Sequence, residues 1–286
     1  MERPALPDLS IRQLEYLVAV ADAQTWAAAA TSVGVSPSAL SQGLAELERR
    51  VGVDLFESHG RRRVLRSVAV PVLEHARQVV GLTRDLVAWS ERIRTARAGR
   101  VRIGMIDVAA VLHFPHVIRS FRTEREDVEL TLSVAPSAAL LDDLRAGDLD
   151  LAVCVEPPSA PVGIDLFPLL SEPLTVIAPP GTTIGDPPSW GPWLLFPSGS
   201  HTRQRVAQRL AEIGAPIRIA AESHQPDVLQ QMVALGLGWT VLPVDPLASD
   251  VVIGPELMCR QLVLATRVGS LHDPAVDELA DRLRAP

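Results

Sequence analysis

The chain has 286 residues, 47% of them hydrophobic and 21% charged, so it is long enough for two domains or more and is neither disordered nor fibrous. No apolar run approaches the roughly 20 residues that cross a bilayer, and MERPALPDLS lacks the apolar core of a signal peptide, so a cytoplasmic protein is expected. A net charge of −7, taken as one number, argues against a nucleic-acid binder.

Residues 9–23 predict a first helix, with Leu14, Leu17, Val18 and Ala21 on one face. Residues 26–33 predict a second, short and alanine-rich helix. Ser36 then reads as an N-cap with Pro37 at the first position of a third helix, which runs to about Val51. Leu40, Leu44, Leu47 and Val51 form its apolar stripe, and Ser38, Ser41 and Gln42 lie off it. Gly34 permits a sharp turn, and Ala29 and Ala30 permit close approach. This is a helix-turn-helix pattern, whose second helix enters the DNA major groove with its N-terminal residues at the base edges. Ser38, Ser41 and Gln42 suit base edges and phosphates, and the Ser36–Pro37 end offers backbone N–H groups to a phosphate. An ordinary helical hairpin fits the same residues about as well until the next segment is read.

Residues 53–66 predict two short strands joined at His59-Gly60. Over 49–66, six arginines face only Asp54 and Glu57. A basic hairpin directly after a recognition helix reads as a wing that grips phosphates through Arg61, Arg62 and Arg63. The charge of the whole chain hides this. Residues 1–100 hold 14 Arg against 11 Asp and Glu, a balance of +3, and the remainder carries −10. Screening over roughly 8–10 Å makes the local patch the quantity that matters.

Residues 67–97 predict one long helix, with Pro71 tolerated in its first turn. Val68, Val72, Ala76, Val79, Leu82, Leu86, Trp89 and Ile93 recur at intervals of three or four. That is close to the 3.5-residue repeat of a two-helix seam, so pairing with a second copy is expected.

From Arg100 the pattern changes. VRIGMI predicts a buried strand, followed by a helix to about Phe121. Strand 128–134, helix 137–147 and strand 149–155 continue a βαβαβ alternation, which indicates a parallel sheet under helices. Residues 166–178 lead on, 179–192 form a loop, and strand 194–196 and strand 217–222 flank a helix from His201. Another helix begins near Pro226 and WTVLP follows as a strand, completing a second lobe. The segment 257–267 and a last helix, 274–284, return to the first. Ligands bind between lobes of this kind, outside the strand ends. Cys154 and Cys259 make neither a disulfide framework nor a zinc spacing.

Together these residues resemble the LysR-type transcriptional regulators along nearly the whole chain. The N-terminal pattern reads Trp26, Ala29-Ala30, Val33-Gly34-Val35-Ser36, Ala39-Leu40-Ser41, Leu47-Glu48 and Gly52-Val53-Asp54-Leu55-Phe56. RIG at 102–104, DVEL at 127–130, LRAGDLDLAV at 144–153, SEPL at 171–174 and LGLGWTVLP at 235–243 carry the C-terminal half. Departures are Pro37-Ser38 after the N-cap, Gly43 in mid-helix, and Leu65-Arg66-Ser67-Val68-Ala69 where a Leu-Thr-x-x-Gly turn is usual.

The resemblance implies an α/β protein with an N-terminal winged helix-turn-helix domain (9–66), a linker and dimerisation helix (67–97), and a C-terminal two-lobed domain like the periplasmic binding proteins (100–286). Lobe I would take about 100–162 and 268–286, and lobe II about 163–267. It implies a homodimer or homotetramer on double-stranded operator DNA, controlled by a small-molecule effector in the cleft. The family's effector positions hold Asp107 and Val108, then Ser198, Ser200, His201 and Thr202, then Ser223, His224 and Gln225. Ser137 and Cys154 lie near strand ends of the first lobe. The helix end after Gly199 favours an anionic group on the effector. Asp107 either opposes it, which a zwitterion or an amine would reconcile, or caps the helix from Val108. His201 reads more readily as a capping or surface residue than as a ligand contact, and Cys154 as packing rather than a redox sensor.

Two other classes compete. A solute-binding protein shares the C-terminal architecture, but not the winged domain. For an enzyme, the sequence holds no G-x-S-x-G, H-E-x-x-H, C-x-x-C or G-x-G-x-x-G, so no catalytic residue, metal ligand or cofactor is expected.

Overall fold

The computed structural model describes residues 8–59, 62–95, 99–244, 251–271 and 273–285. The chain separates into two compact units, one running to Thr95 and taking in 145–148 and 269–271, the other holding the rest.

In the first unit, helix α1 spans Ile11–Asp22, α2 Trp26–Ser32 and α3 Pro37–Val51. Each starts on a hydroxyl. Ser10 forms a capping box with Gln13, Thr25 accepts from the Ala28 N–H at 3.1 Å, and Ser36 accepts from the Ala39 N–H at 3.2 Å. Gly34 sits at φ 68° between α2 and α3, the left-handed geometry the turn requires. Leu14, Leu17 and Val18 of α1 close on Ala29, Ala30, Leu40, Leu44 and Leu47. Ala21, expected on the inner face, is exposed, and Val51 is half-buried.

Strands β1 (Phe56–His59) and β2 (Arg62–Leu65) pair antiparallel, from Phe56 opposite Leu65 to His59 opposite Arg62. The expected single helix 67–97 is instead a 3₁₀ turn, Ser67–Ala69, followed by α4, Val70–Thr95. Arg66 stays extended at φ −73° and ψ 148°, so the chain cannot enter an α-helix there. Pro71, which has no N–H to lose, fits the first turn of α4. Residues 96 and 97 lie outside the described residues. The inner face of α4 is Leu73, Ala76 and Val80, buried in the core of this unit. Among the described side chains of the expected stripe, Ala76 alone is fully buried. Val72 and Val79 are half-buried, and Val68, Leu82, Leu86 and Trp89 stay exposed. The side chain of Ile93 lies outside the described residues.

In the second unit, β3 (Arg100–Met105), α5 (Pro115–Glu124), β4 (Glu129–Val134), α6 (Ser137–Ala146) and β5 (Leu151–Val155) follow the βαβαβ alternation. β3 pairs parallel with both β4 and β5. All five residues of β5 are buried, as expected for a strand covered on both faces. The single helix expected after β3 is broken into a π-helical turn, Ala109–His113, and α5. Pro115 lacks the N–H that would continue the ladder, and Phe114 leaves helical geometry before it.

The chain then crosses on β6 (Ile164–Ala178) into a second lobe built from β7 (Trp193–Leu195), α7 (His201–Glu212), β8 (Ile219–Glu222), α8 (Pro226–Ala234) and β9 (Thr240–Leu242). It returns on β10 (Val252–Arg267), antiparallel to β6 from Val252–Ala178 to Arg267–Ile164, and ends in α9 (Pro274–Arg284). β10 also pairs with β5 at Leu262–Ala265, so the sheet order is β4-β3-β5-β10-β6-β9. Pro168 of β6, which cannot donate to the ladder, falls at a register shift between Leu262 and Val263. One core lies under β3, β5, α5, α6 and α9, and another under Trp190, Trp193, Trp239, Val206 and Leu210. No helix among the described residues is long and apolar enough to cross a membrane.

Candidate functional site

The first unit leaves the N-terminal half of α3 uncovered. Leu40, Leu44 and Leu47 face inward, while Ser36, Pro37, Ser38 and Gln42 are exposed and Ser41 is half-buried. The hydroxyls of Ser36 and Ser38 lie 3.0 Å apart and share a hydrogen bond. Uncharged donors and acceptors therefore line the entry of a helix whose backbone N–H groups point the same way.

At the other end of α3, Glu48 fixes the hairpin. Its Oε1 accepts from the Leu55 N–H at 2.8 Å and the Phe56 N–H at 3.2 Å. Phe56 meets Trp26 edge-on with ring centroids 5.1 Å apart, and the Arg63 guanidinium lies 5.2 Å above the same indole. Trp26 thus ties α2 to the hairpin, a role the sequence pattern alone did not reveal.

The six arginines of 49–66 are not equally available. Glu46, one turn before them, takes both Arg49 and Arg50. Arg49 Nε donates to Oε2 at 2.8 Å and Arg50 Nε to Oε1 at 2.5 Å. The two guanidinium groups hold the Glu46 carboxyl down to about 2, Arg49 contributing most. Arg66 pairs with Asp54 at 3.3 Å. Exposed Arg63 is left with its ring contact and, among the described residues, no carboxylate partner. Arg61 and the side chain of Arg62 lie outside the described residues.

The second unit holds a cavity of about 470 Å³, within the range of small-molecule sites. The turn after β3 contributes Ile106, Asp107 and Val108, and the start of α6 contributes Pro136, Ser137, Ala138 and Ala139. Across from them stand Phe196, Gly199, Ser200, His201 and Thr202, with His224, Gln225 and Pro226 at the start of α8. Arg260 of β10 completes the lining.

Of the expected contacts, Asp107, Val108, Ser137, Ser200, His201, Thr202, His224 and Gln225 meet at this cavity. Cys154 does not. It points into the core of the first lobe, fully buried, and burial pushes its thiol up to about 12. Ser223 is also set apart, its hydroxyl accepting from the Gln225 N–H at 3.1 Å. Exposed Ser198 does not line the cavity either. Cys154, His201 and His224 therefore do not converge, and among the described residues no group of three His, Cys, Asp or Glu could hold a metal ion.

Two hydroxyls at the cavity already serve the fold. Ser200 caps α7 from the Arg203 N–H at 3.4 Å, and Ser137 accepts from the Val155 N–H at 3.2 Å. His201 is no cap. Its Nδ1 stands 3.4 Å from the Val155 carbonyl, reaching from α7 to the end of β5. Asp107 does not cap a helix, because Val108 takes the cap position without a side-chain bond. Its carboxyl is pushed up from the usual range, chiefly by burial and then by the charge of Asp227 in the first turn of α8.

The residue that sequence reasoning missed is Arg260. It is 3% exposed, donating through Nε to Glu172 Oε2 at 2.6 Å and through Nη1 to Thr202 Oγ1 at 2.9 Å. Glu172 Oε1 meets His113 Nε2 at 2.5 Å. A charged residue inside the apolar run LMCRQLVLATR was the available signal, since buried arginines are nearly always paired.

Comparison with known proteins agrees with this geometry. Residues 94–285 match the LysR substrate binding domain, and residues 11–69 match the bacterial regulatory helix-turn-helix protein, lysR family. A probable hydrogen peroxide-inducible genes activator of Streptomyces viridosporus is 27% identical over 96% of this chain and 93% of its own. The transcriptional regulator IlvR of Caulobacter vibrioides is 26% identical over 82% of each. Among solved structures, full-length OxyR from Pseudomonas aeruginosa superposes with TM-score 0.62 at 25% identity, over 96% of this chain and 95% of that one. The effector binding domain of QuiR in complex with shikimate has the same fold, with TM-score 0.60 at 18% identity, over 66% of this chain and 96% of that one.

Proposed function

We propose, from the premise that this chain belongs to the LysR family of transcriptional regulators, that it binds a specific operator through α3 and the hairpin and is controlled from the cleft of its second unit. The protein is a regulator of transcription that recognises DNA, answers to a small-molecule effector and self-associates. It is not an enzyme. We assign 9–66 to DNA binding, 67–97 to the linker and 100–286 to effector binding, and place its action in the cytoplasm beside chromosomal DNA.

Ser38, Ser41 and Gln42 are the base-reading candidates, with Ser36, Pro37, Arg61, Arg62 and Arg63 on phosphates. The observation that carries this reading is the uncovered N-terminal half of α3, whose polar side chains have no partner among the described residues beyond the helix cap and the Ser36–Ser38 hydrogen bond. Asp107, Val108, Ser137, Ser200, His201, Thr202, His224 and Gln225 are the effector contacts we propose, joined by Arg260. A peroxide-sensing role gains no support from the cysteines. Cys154 faces Val263 across the ladder, four residues and roughly 13 Å along the strand from Cys259. A disulfide needs Cα atoms within about 7 Å.

Fluorescence anisotropy on DNA from upstream of its own gene, against a scrambled duplex at two salt concentrations, tests the reading. Tight, saturable preference for the upstream DNA is expected. Replacing Arg61, Arg62 and Arg63 by Ala should weaken both duplexes and reduce the log–log salt slope by up to about 0.9 per lost contact. Gln42→Ala should change discrimination between the duplexes instead. An unchanged salt slope in the triple variant would remove the wing assignment.

A further inference from the structure

The cavity of the second unit carries opposite charges on different walls. On one side, Asp107 lines the space with neither a hydrogen bond nor an ion pair to any described residue. The charge nearest to it in effect is a second carboxylate, Asp227, whose repulsion adds to that of burial. A carboxylate that lines the space without a partner is suited to a cationic group on the ligand.

On the floor, Arg260 presents a guanidinium that is almost fully buried yet still lines the cavity. A guanidinium has five donors in a planar fork. Nε and Nη1 each donate one bond, to Glu172 and Thr202, and Nη2 donates none to a described residue. Glu172, held by His113 and Arg260 on its two oxygens, does not line the cavity. Its counter-charge, Glu172, thus lies off the cavity, while Nη2 keeps its donors without an acceptor among the described residues, suited to a ligand carboxylate. Between the two ends the walls are apolar, from Val134, Ala135, Ala138, Val155 and Phe196.

We propose that the effector is a small amino acid-like zwitterion, its ammonium beside Asp107, its carboxylate on Arg260 and its apolar body against the walls between. This deepens the cleft reading given above and rests on it. A simple carboxylate would leave Asp107 facing another negative charge, and a simple amine would leave Nη2 of Arg260 without an acceptor. Only a molecule with both groups satisfies both walls.

The test uses the full chain and the L-amino acids with apolar side chains, each beside its deaminated acid and its decarboxylated amine. Thermal shift finds the binder, and calorimetry gives the affinities. At least one amino acid should raise Tm, with its acid and its amine each binding tenfold weaker or worse. Asp107→Asn should erase the advantage of the amino acid over the acid to within about threefold, with the variant still melting cooperatively. Ala138→Trp, at an exposed position on the cavity wall, should abolish binding.

If no amino acid raises Tm at millimolar concentration, or if the acid or the amine binds as tightly as the parent, the zwitterion is wrong. An acid that binds alone and is lost in Ala138→Trp would sink the zwitterion and keep the cleft. An amino acid whose binding ignores Ala138→Trp would overturn both.

Discussion

Gly43 stands in the middle of α3, where glycine costs about 1 kcal/mol relative to alanine. A Cβ added there would lie 2.7 Å from both Cδ2 and Cε2 of the Tyr16 ring on α1. The ring is held in place, with the Arg12 guanidinium 5.8 Å from its centroid. Gly43→Ala should therefore lower Tm despite its helix propensity, and in a Tyr16→Ala background the same change should raise stability by about 0.5–1 kcal/mol. Thermal melts of the four proteins decide it, and an equal effect in both backgrounds would remove the contact as the reason. The mid-helix glycine was visible in the sequence, but its cause was not, because it depends on a side chain 27 positions earlier in the chain. The same limit applied in the cleft. Motif positions brought out residues at the helix starts, such as Asp107 and His201. Arg260 escaped because it sits within a strand whose apolar neighbours mark it as core, and only the pairing of β10 with β6 sets it opposite Glu172.

At the scale of the element, α4 carries two apolar faces. Leu73, Ala76 and Val80 belong to the core of their own unit. Leu82, Leu86 and Trp89, at 36%, 50% and 42% exposure, do not. The 3.5-residue spacing was legible and α4 falls within the expected span, starting three residues late, but periodicity alone could not divide the apolar residues between the two jobs. Solvent-facing leucines at i and i+4 beside a tryptophan are the surface that the expected seam with a second copy would use. Leu86→Arg should lower the mass measured by light scattering after size exclusion. The fold should survive, because an exposed site away from the core shifts stability by only about 0.5 kcal/mol. An unchanged mass for both Leu86→Arg and Trp89→Arg would move the seam elsewhere. Elements were misread where local backbone chemistry intervened. Pro115 cut the helix after β3, and the extended Arg66 delayed the start of α4.

At the scale of the whole molecule, the charge asymmetry and the alternation of strands and helices were legible, because both are sums over many residues. The return of β10 onto β5 and β6 rests on long-range pairing, which only the folded chain reveals. That pairing places Glu172 opposite Arg260 on the two strands that run between the lobes of the second unit. From there the pair reaches His113 beyond β3 in one lobe and Thr202 of α7 in the other. A buried pair of this kind is weak evidence for stability in itself, yet breaking it strands a buried charge at a cost of about 3–5 kcal/mol. Burial already pulls the Arg260 pKa down, and Glu172 opposes that pull. Glu172→Gln should therefore lower the denaturation midpoint strongly, and Arg260→Met alone should leave Glu172 with only His113. The double variant Glu172→Met, Arg260→Met removes both charges and should recover most of the loss, while losing any ligand that depends on the guanidinium. Denaturant titration of the four proteins separates the outcomes. If the double variant is no more stable than Glu172→Gln, the loss belongs to packing at the crossing strands rather than to a stranded guanidinium. Recovery of stability without recovery of ligand binding would mean that the charge at the crossing is kept for the ligand, and that the lobes can be joined without it.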